Sequence, residues 1–432
     1  MIPKWITVIG GAGIVAFGAI QFIRPAIANP PVTADAAAPR EVKQILKTSC
    51  YDCHSNETKL AWFDQIVPGY WIVARDVRRG RRRLNFSELG LLPAAQQKGV
   101  LWEAVNQIRL GAMPLRDYAL LHRDAVVTPA ELTVLKEYLN PPAPPTAASQ
   151  SDLSADNAQF EKWVRDGGST DSVAPVPNGI EFLPDYKNWK PISATDRFDN
   201  HTLRVILGNP IAVKAIAENH INPWPDGAAF AKVAWSARDD GQGHLHAGSF
   251  IQVEFMMRDR AQYAATKGWG WGRWRGLGLT PYGKNAKFTE ECVGCHLPVH
   301  GSDYVYTMPF RRQLNGTLPQ NPLEWNAITT FADVPARTIG ILYGNDTAVR
   351  AARSGAGNYP AGSVLALVTW NEREDDRWFG ARIPGAVKSV EFVTVGAGNE
   401  YQKFEGSPLR QTSAATADPA AYLLSLRAAV MP

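Results

Sequence analysis

The sequence predicts a multidomain protein: a mostly α-helical first domain, then two tandem α+β domains built on antiparallel sheet. Three observations carry that prediction. The stretch PPAPPTAASQ (141–150) is a Pro/Ala/Ser linker that cannot build a core. Before it, apolar residues recur at helical spacing; after it, short β-branched and aromatic runs are separated by Gly, Pro and Asp. Beyond the linker the chain also repeats itself: LGNPIAVKA (207–215) returns as YGNDTAVRA (343–351), AFAKVAW (229–235) as VLALVTW (364–370), SFIQVEF (249–255) as AVKSVEF (386–392), and Trp189 as Trp325. Near-constant offsets of 135 to 137 residues mean a duplicated domain. The expected boundaries are 1–28 for an N-terminal segment, 29–140 for the helical domain, 141–175 for the linker and a short helix, and 176–314 and 315–432 for the two repeats.

Composition is that of globular protein, 45% hydrophobic and 20% charged over 432 residues, and a net charge of +4 is too small to imply nucleic acid as a partner. Residues 5–23, WITVIGGAGIVAFGAIQFI, form an uncharged apolar run between Lys4 and Arg24, long enough to anchor the chain in the inner membrane. The segment AIAN (26–29) offers a cleavage site near Ala28, so a removed signal peptide is the alternative.

In the helical domain, EVKQILKTSC leads into CYDCH (50–54), VLWEAVNQIRLGAMP (100–114) is amphipathic, and TPAELTVLKEYL (128–139) has Thr128 as N-cap with Glu131 three residues on. The basic run VRRGRRRLNF (77–86) reads as a solvated face, with docking of an acidic redox partner or contacts to haem propionates as the other readings. The motif C-x-x-C-H occurs here as Cys50, Cys53 and His54, and again as Cys292, Cys295 and His296, so the two copies consume all four cysteines. This spacing is that of c-type haem attachment, two thioethers and an adjacent His ligand to iron, and predicts two haem c in a periplasmic protein. Met113, 59 residues beyond His54, is the expected sixth ligand of the first haem, where a Met raises the potential and leaves no room for substrate. His122 is the other candidate, and core filling is the other role for Met113.

In the repeats, LRVILGN (203–209), AFAKVAW and FIQVEFMMR (250–258) read as strands and IAVKAIAENH (211–220) as a helix. The second repeat has no cysteine, so only the first can carry the second haem c.

Through SCYDCHSNET, VRRGRRRLNFS and GAMPLRDYALLHRDAVVTPAE, residues 41–140 resemble the small periplasmic haem-binding domain, a family that implies cytochrome c-like fold and haem more than any reaction. Through LPDYKNW (183–189), PDGAAFAKVAW (225–235), FIQVEFMMRDRAQY (250–263) and TEECVGCHLPVHGSDYVYT (289–307), the first repeat resembles the cytochrome P460 family, which includes hydroxylamine-oxidising haem proteins and the nitric-oxide-binding β-type cytochromes c′. The resemblance implies that Cys292 and Cys295 hold the porphyrin, that His296 is the proximal ligand, that Lys232 is bonded to a haem meso carbon, and that Glu254 is the distal carboxylate that handles protons. Asp303 matches a family acid without an assigned role.

On the residues alone, Lys232 is either a strand lysine reaching water or an amine desolvated by Ala231, Val233 and Trp235 into a nucleophile. Glu254, between Val253 and Phe255, is either exposed or a buried acid. The second repeat has Leu367 in place of Lys232 but keeps Glu391 in place of Glu254, so the lysine goes with the haem while the glutamate can serve the fold. Met308 is too near His296 for an easy sixth ligand and reads as packing, and His244 and His246 lack a third metal ligand.

The expected function is that of a periplasmic dihaem cytochrome that oxidises hydroxylamine or a related nitrogen oxide at the Lys232 haem and passes electrons through the His54/Met113 haem to a periplasmic redox partner. A nitric-oxide binder without the cross-link is the alternative; a dihaem peroxidase would suit two C-x-x-C-H motifs but not the strand-rich second half. A monomer whose repeats pair as an intramolecular pseudo-dimer is the expected assembly.

Overall fold

The computed structural model describes residues 4–92, 94–139, 147–166, 173–413 and 419–432 and divides into two compact units, Met1–Pro141 and Pro142–Pro432. The first unit is helical: α1 (Lys4–Ile20), α2 (Arg40–Ser49), α3 (Tyr51–His54), α4 (Gly69–Arg83), α5 (Ala94–Arg109), α6 (Arg116–Leu121) and α7 (Pro129–Leu139). Helix α2 buries Val42, Ile45 and Leu46, one stripe at three- and four-residue spacing. Thr128 and Glu131 cap α7 reciprocally: Glu131 accepts from the Thr128 amide at 2.8 Å and the Glu131 amide donates back to the Thr128 hydroxyl at 3.3 Å. Helix α4 crosses the first C-x-x-C-H motif at Gly80, where a Cβ would lie 2.5 Å from the Cys53 carbonyl, so only glycine permits the approach.

The helix over the N-terminal apolar run has 17 residues, starting at Lys4, and stops at Ile20, before the run ends at Ile23. Among the described residues no helix is long and apolar enough to cross a membrane. The segment after α1 docks onto α4. Gln21 exchanges two hydrogen bonds with the backbone of Val67 at 2.9 and 3.0 Å, Tyr70 donates to the Pro25 carbonyl at 2.7 Å and Trp71 to that of Ile23 at 2.7 Å. Ile20 and Ile27 pack on buried Val67, Tyr70 and Ala74. Deleting residues 1–28 is therefore expected to destabilise the first unit by about 2–5 kcal/mol, from these four hydrogen bonds and that of Arg81 to the Ala28 carbonyl, about 1 kcal/mol each. Denaturant unfolding followed at the helical signal of this unit checks it.

The second unit opens with α8 (Gln150–Arg165), capped by a Ser149/Asp152 box. The first repeat comes next as β1 (Lys190–Arg197), β2 (Thr202–Gly208), α9 (Pro210–Ala217), β3 (Ala229–Asp239), β4 (His244–Arg258), β5 (Trp269–Arg275), β6 (Thr280–Pro281) and α10 (Thr289–His296). The second supplies β7 (Asn326–Asp333), β8 (Thr338–Gly344), α11 (Asp346–Arg353), β9 (Val364–Asp375), β10 (Trp378–Thr394), β11 (Glu400–Glu405), β12 (Arg410–Thr412) and α12 (Pro419–Ser425). The duplication holds in detail. Asn209 and Asn345 cap α9 and α11 alike, and each also donates to a glycine carbonyl, Gly227 at 2.8 Å and Gly362 at 2.9 Å.

The repeats share one antiparallel sheet. Strands β1-β2-β3-β4 continue through a β4–β7 seam into β7-β8-β9-β10, and β10 returns to β1 through Asp196 opposite Arg382, closing a barrel. Its core draws Trp235, Val253 and Phe255 from one repeat and Ile341, Leu367 and Trp370 from the other, while Trp235 donates to the Val430 carbonyl at 2.7 Å. A second apolar cluster (Ile192, Ile206, Phe230, Met256, Trp269 and Trp271) belongs to the first repeat alone and packs against Cys292, Val293 and Tyr304.

At the β10–β1 seam, Asp196 and Glu372 are buried side by side with Arg382, 3.6 and 3.9 Å from its guanidinium, and none of their four oxygens makes a hydrogen bond. Burial, then the Asp196 charge, pushes Glu372 up from 4.5 to about 8. The folded state thus holds this proton more tightly than the unfolded chain, and stability is lost as pH rises from about 4.5 through about 8. Glu372→Gln is expected to remove most of that slope and to stabilise the unit by about 1–3 kcal/mol at its alkaline end, read from unfolding midpoints across the range. Parallel slopes in the two proteins would count against it.

Candidate haem centres

In each C-x-x-C-H motif a short helix carries the residues and a backbone carbonyl sets the histidine. His54, at the end of α3, donates from Nδ1 to the Leu84 carbonyl at 3.2 Å. His296, at the end of α10, donates from Nδ1 to the Tyr304 carbonyl at 2.7 Å. Burial lowers both pKa values, that of His296 to about 4, so both rings are neutral and Nε2 keeps its lone pair. A neutral imidazole fixed through its other nitrogen is the form that ligates iron, and no disulfide ties up the four cysteines, so both motifs fit a covalently held haem.

In the first unit the rival to Met113 is occupied. His122 Nε2 lies 2.9 Å from the Asp64 carboxylate and its Nδ1 3.1 Å from the Tyr118 carbonyl, so both ring nitrogens are engaged within the protein. Met113 lies just past α5, partly buried, its amide held by the Gln107 carbonyl at 3.2 Å. One arginine of the basic run is structural: Arg81 donates to the Ser55 carbonyl and to Thr58 and Asn29 at 2.7 Å each, and to the Ala28 carbonyl.

Around His296 the sheet presents a charged row. Lys232 on β3 stands opposite Glu254 on β4, which stands opposite Arg273 on β5. Glu254 forms a direct ion pair with Lys232 and a second with Arg273 at 3.1 Å, and Gln252 donates to it as well. The row lies near enough that the charges of Lys232, Glu254 and Arg273 all bear on His296. Lys232 is 32% exposed and Glu254 17%. Burial, opposed by Glu254 and aided by Arg204, brings the lysine amine below its ordinary value. Burial pushes Glu254 up, but Lys232 and Arg273 outweigh it and hold the carboxyl at about 2. Trp271 meets the His296 ring edge-on at 4.5 Å, and Tyr306 does so at 5.1 Å while donating to the Cys295 carbonyl at 2.8 Å.

The site brings Lys232, Glu254 and His296 together and adds Arg273 and Trp271, which no motif singles out. Their signal is WGWGRWR (269–275), an aromatic alternation of period two that marks β5. The remaining expectations find structural roles. Asp303 accepts from the Trp224 amide at 2.9 Å and pairs with Arg258 at 3.3 Å, both buried, which makes it a clamp on the loop after α10. Met308 sulfur receives Arg373 at 3.6 Å. His244 lies between Asp240 at 2.7 Å and Asp333 at 3.7 Å, and among the described residues no cluster of His, Cys, Asp and Glu could hold a metal ion. In the second repeat the same row reads Leu367, Glu391, Lys403, and Glu391 is satisfied by the Tyr401 hydroxyl at 2.6 Å.

Two family models match the chain. The haem-binding domain matches residues 15–141, and cytochrome P460 matches residues 183–307 and 320–406, the second of these segments being the cysteine-free repeat. No curated protein gives a significant match.

Proposed function

From a chain that is a haem-binding domain joined to a cytochrome P460 region, we propose an exported dihaem oxidoreductase that removes electrons from hydroxylamine or a related small nitrogen oxide at the His296 centre and passes them through the His54/Met113 centre to a periplasmic redox partner. The observation that carries the reading is the row Lys232–Glu254–Arg273 beside a neutral, backbone-anchored His296. When bound there, the haem supplies the redox-active iron. The chain's own residues do the rest. His296 presents Nε2 because Nδ1 is committed to Tyr304. Lys232, with its pKa lowered by burial, is the amine poised to bond a porphyrin carbon. Such a link would exchange one lysine N–H and the meso C–H for the N–C bond, two electrons passing to a peroxide or dioxygen oxidant. It would also remove the ammonium charge that holds Glu254 at about 2, so that the carboxyl would rise toward the range in which a base can take substrate protons. Arg273 remains to keep it oriented, 3.1 Å away. The alternative draws on the same fact: with Lys232 unbonded, Glu254 stays an ion-pair partner and a poor base, which suits a nitric-oxide binder.

Export is implied by covalent haem attachment, and α1 is the proposed tether to the inner membrane; the hydrogen bonds of residues 21–28 to the first unit favour their retention over cleavage near Ala28. Hydroxylamine-dependent reduction of an artificial electron acceptor by the purified chain tests the activity; binding of nitric oxide without such turnover favours the alternative.

Met113→Ala is expected to abolish the Met–iron charge-transfer band of the first haem and to lower its potential, leaving the second haem unchanged. An unaltered spectrum would make Met113 core filler and give the sixth position to another residue, His122 among them once it leaves Asp64.

A further inference from the structure

The second repeat has lost its cysteines and its lysine, yet it reaches the His296 centre of the first. Arg377, in the β9–β10 turn, donates from one guanidinium nitrogen to three successive carbonyls of the loop after α10: Val305 at 2.8 Å, Tyr306 at 3.2 Å and Thr307 at 3.3 Å. The next residue, Trp378, meets the Tyr306 ring edge-on at 5.6 Å. Trp378 is itself fixed, donating to Asp199 at 3.0 Å under the Arg197 guanidinium, 4.3 Å above its ring. The loop so held supplies the Tyr304 carbonyl that anchors His296 and the Tyr306 side chain that touches His296 and bonds Cys295. At the repeat offset of 136, Arg377 and Trp378 correspond to Gly241 and Gln242, so the first repeat's turn carries neither side chain.

We propose that Arg377 and Trp378 are positioning residues of the His296 centre, and that the haemless repeat sets the donor strength of a histidine it does not contain. The inference rests on the reading that His296 ligates an open haem. An imidazole is a stronger ligand the better its other N–H is bonded. The Nδ1–Tyr304 bond depends on where residue 304 lies, and Arg377 pins the three carbonyls that come after it. A second repeat kept only to close the barrel would need neither side chain.

The test is the iron–histidine stretching band of the ferrous full-length holoprotein, measured by resonance Raman. Arg377→Ala is expected to shift that band to lower frequency and broaden it, while Arg377→Lys restores it, because an ammonium can reach the same carbonyls. Trp378→Phe, which keeps a ring against Tyr306 but loses the bond to Asp199, is expected to give a smaller downshift and keeps the question answerable if Arg377→Ala does not fold. The six-coordinate His54 haem gives no iron–histidine band, and its porphyrin skeletal bands serve as the unshifted internal reference. A wild-type band position in folded Arg377→Ala or, failing that, in Trp378→Phe overturns the proposal. A wild-type protein that holds haem at Cys292 and Cys295 but shows no iron–histidine band overturns the parent reading of an open centre instead, and this inference with it.

Discussion

Lys232→Leu is expected to abolish hydroxylamine oxidation while leaving both C-x-x-C-H motifs loaded with haem and nitric oxide binding intact. The substitution copies what the second repeat already has at Leu367, facing Glu391 across the same strand pair, so the backbone accepts it. Glu254 loses one cation but keeps Arg273 at 3.1 Å. The expected destabilisation is therefore about 1–3 kcal/mol, well short of unfolding. On the proposed link, what changes is the electronic structure of the cofactor: a lysine nitrogen on a meso carbon would break the porphyrin's symmetry and move the ferrous absorption to longer wavelength. The variant should return an ordinary c-type spectrum. Turnover at the wild-type rate would remove Lys232 from the chemistry.

Glu254→Gln is expected to slow hydroxylamine oxidation by about 10²–10⁴-fold, the usual contribution of a positioned proton acceptor. The amide keeps the shape of the side chain and its place between β3 and β5 but cannot take a proton. The control lies in the second repeat. Glu391 is tied to Tyr401 and faces Leu367 on the strand where Glu254 faces Lys232, so Glu391→Gln should cost some stability and leave the rate unchanged. Wild type should also lose activity as pH falls through the pKa of Glu254, and Glu254→Gln should lose that limb of the profile. Equal rates in Glu254→Gln and wild type would make the glutamate a fold residue in both repeats.

The parts of this architecture legible in the sequence were those written in local chemistry. The C-x-x-C-H spacing fixes which histidines can ligate, the linker separates the helical unit from the sheet, and the constant offset gives the duplication. The register pairing of Lys232 with Glu254 and of Leu367 with Glu391 agrees with the alignment of the two repeats. What could not be read is what only strand pairing and the closure of the barrel bring together. Arg273 reaches Glu254 because β5 pairs with β4, and a short Trp/Gly-rich strand carries little of the β-branched signal by which strands are found. Arg377 reaches the loop after α10 from about 70 residues away through a turn whose counterpart in the first repeat is Gly-rich. Likewise, Asp196 and Glu372 meet only at the seam where β10 returns to β1. Nothing local in either segment announces a buried acid pair. The same holds for residues 21–28, where the sequence presents an anchor or a cleavage site and the fold uses the segment to cover Val67 and Tyr70.

The central claim, that Lys232 joins the haem held by Cys292 and Cys295, is tested most directly by mass spectrometry of the haem peptides released by proteolysis of the wild-type protein. The digest should contain one branched species in which a single haem unites the peptide containing Cys292 and Cys295 with the peptide containing Lys232, beside a simple haem peptide containing Cys50 and Cys53. Recovery of Lys232 only in an unmodified peptide, with haem on Cys292 and Cys295 alone, would contradict it and leave the His296 centre as a binder of nitric oxide.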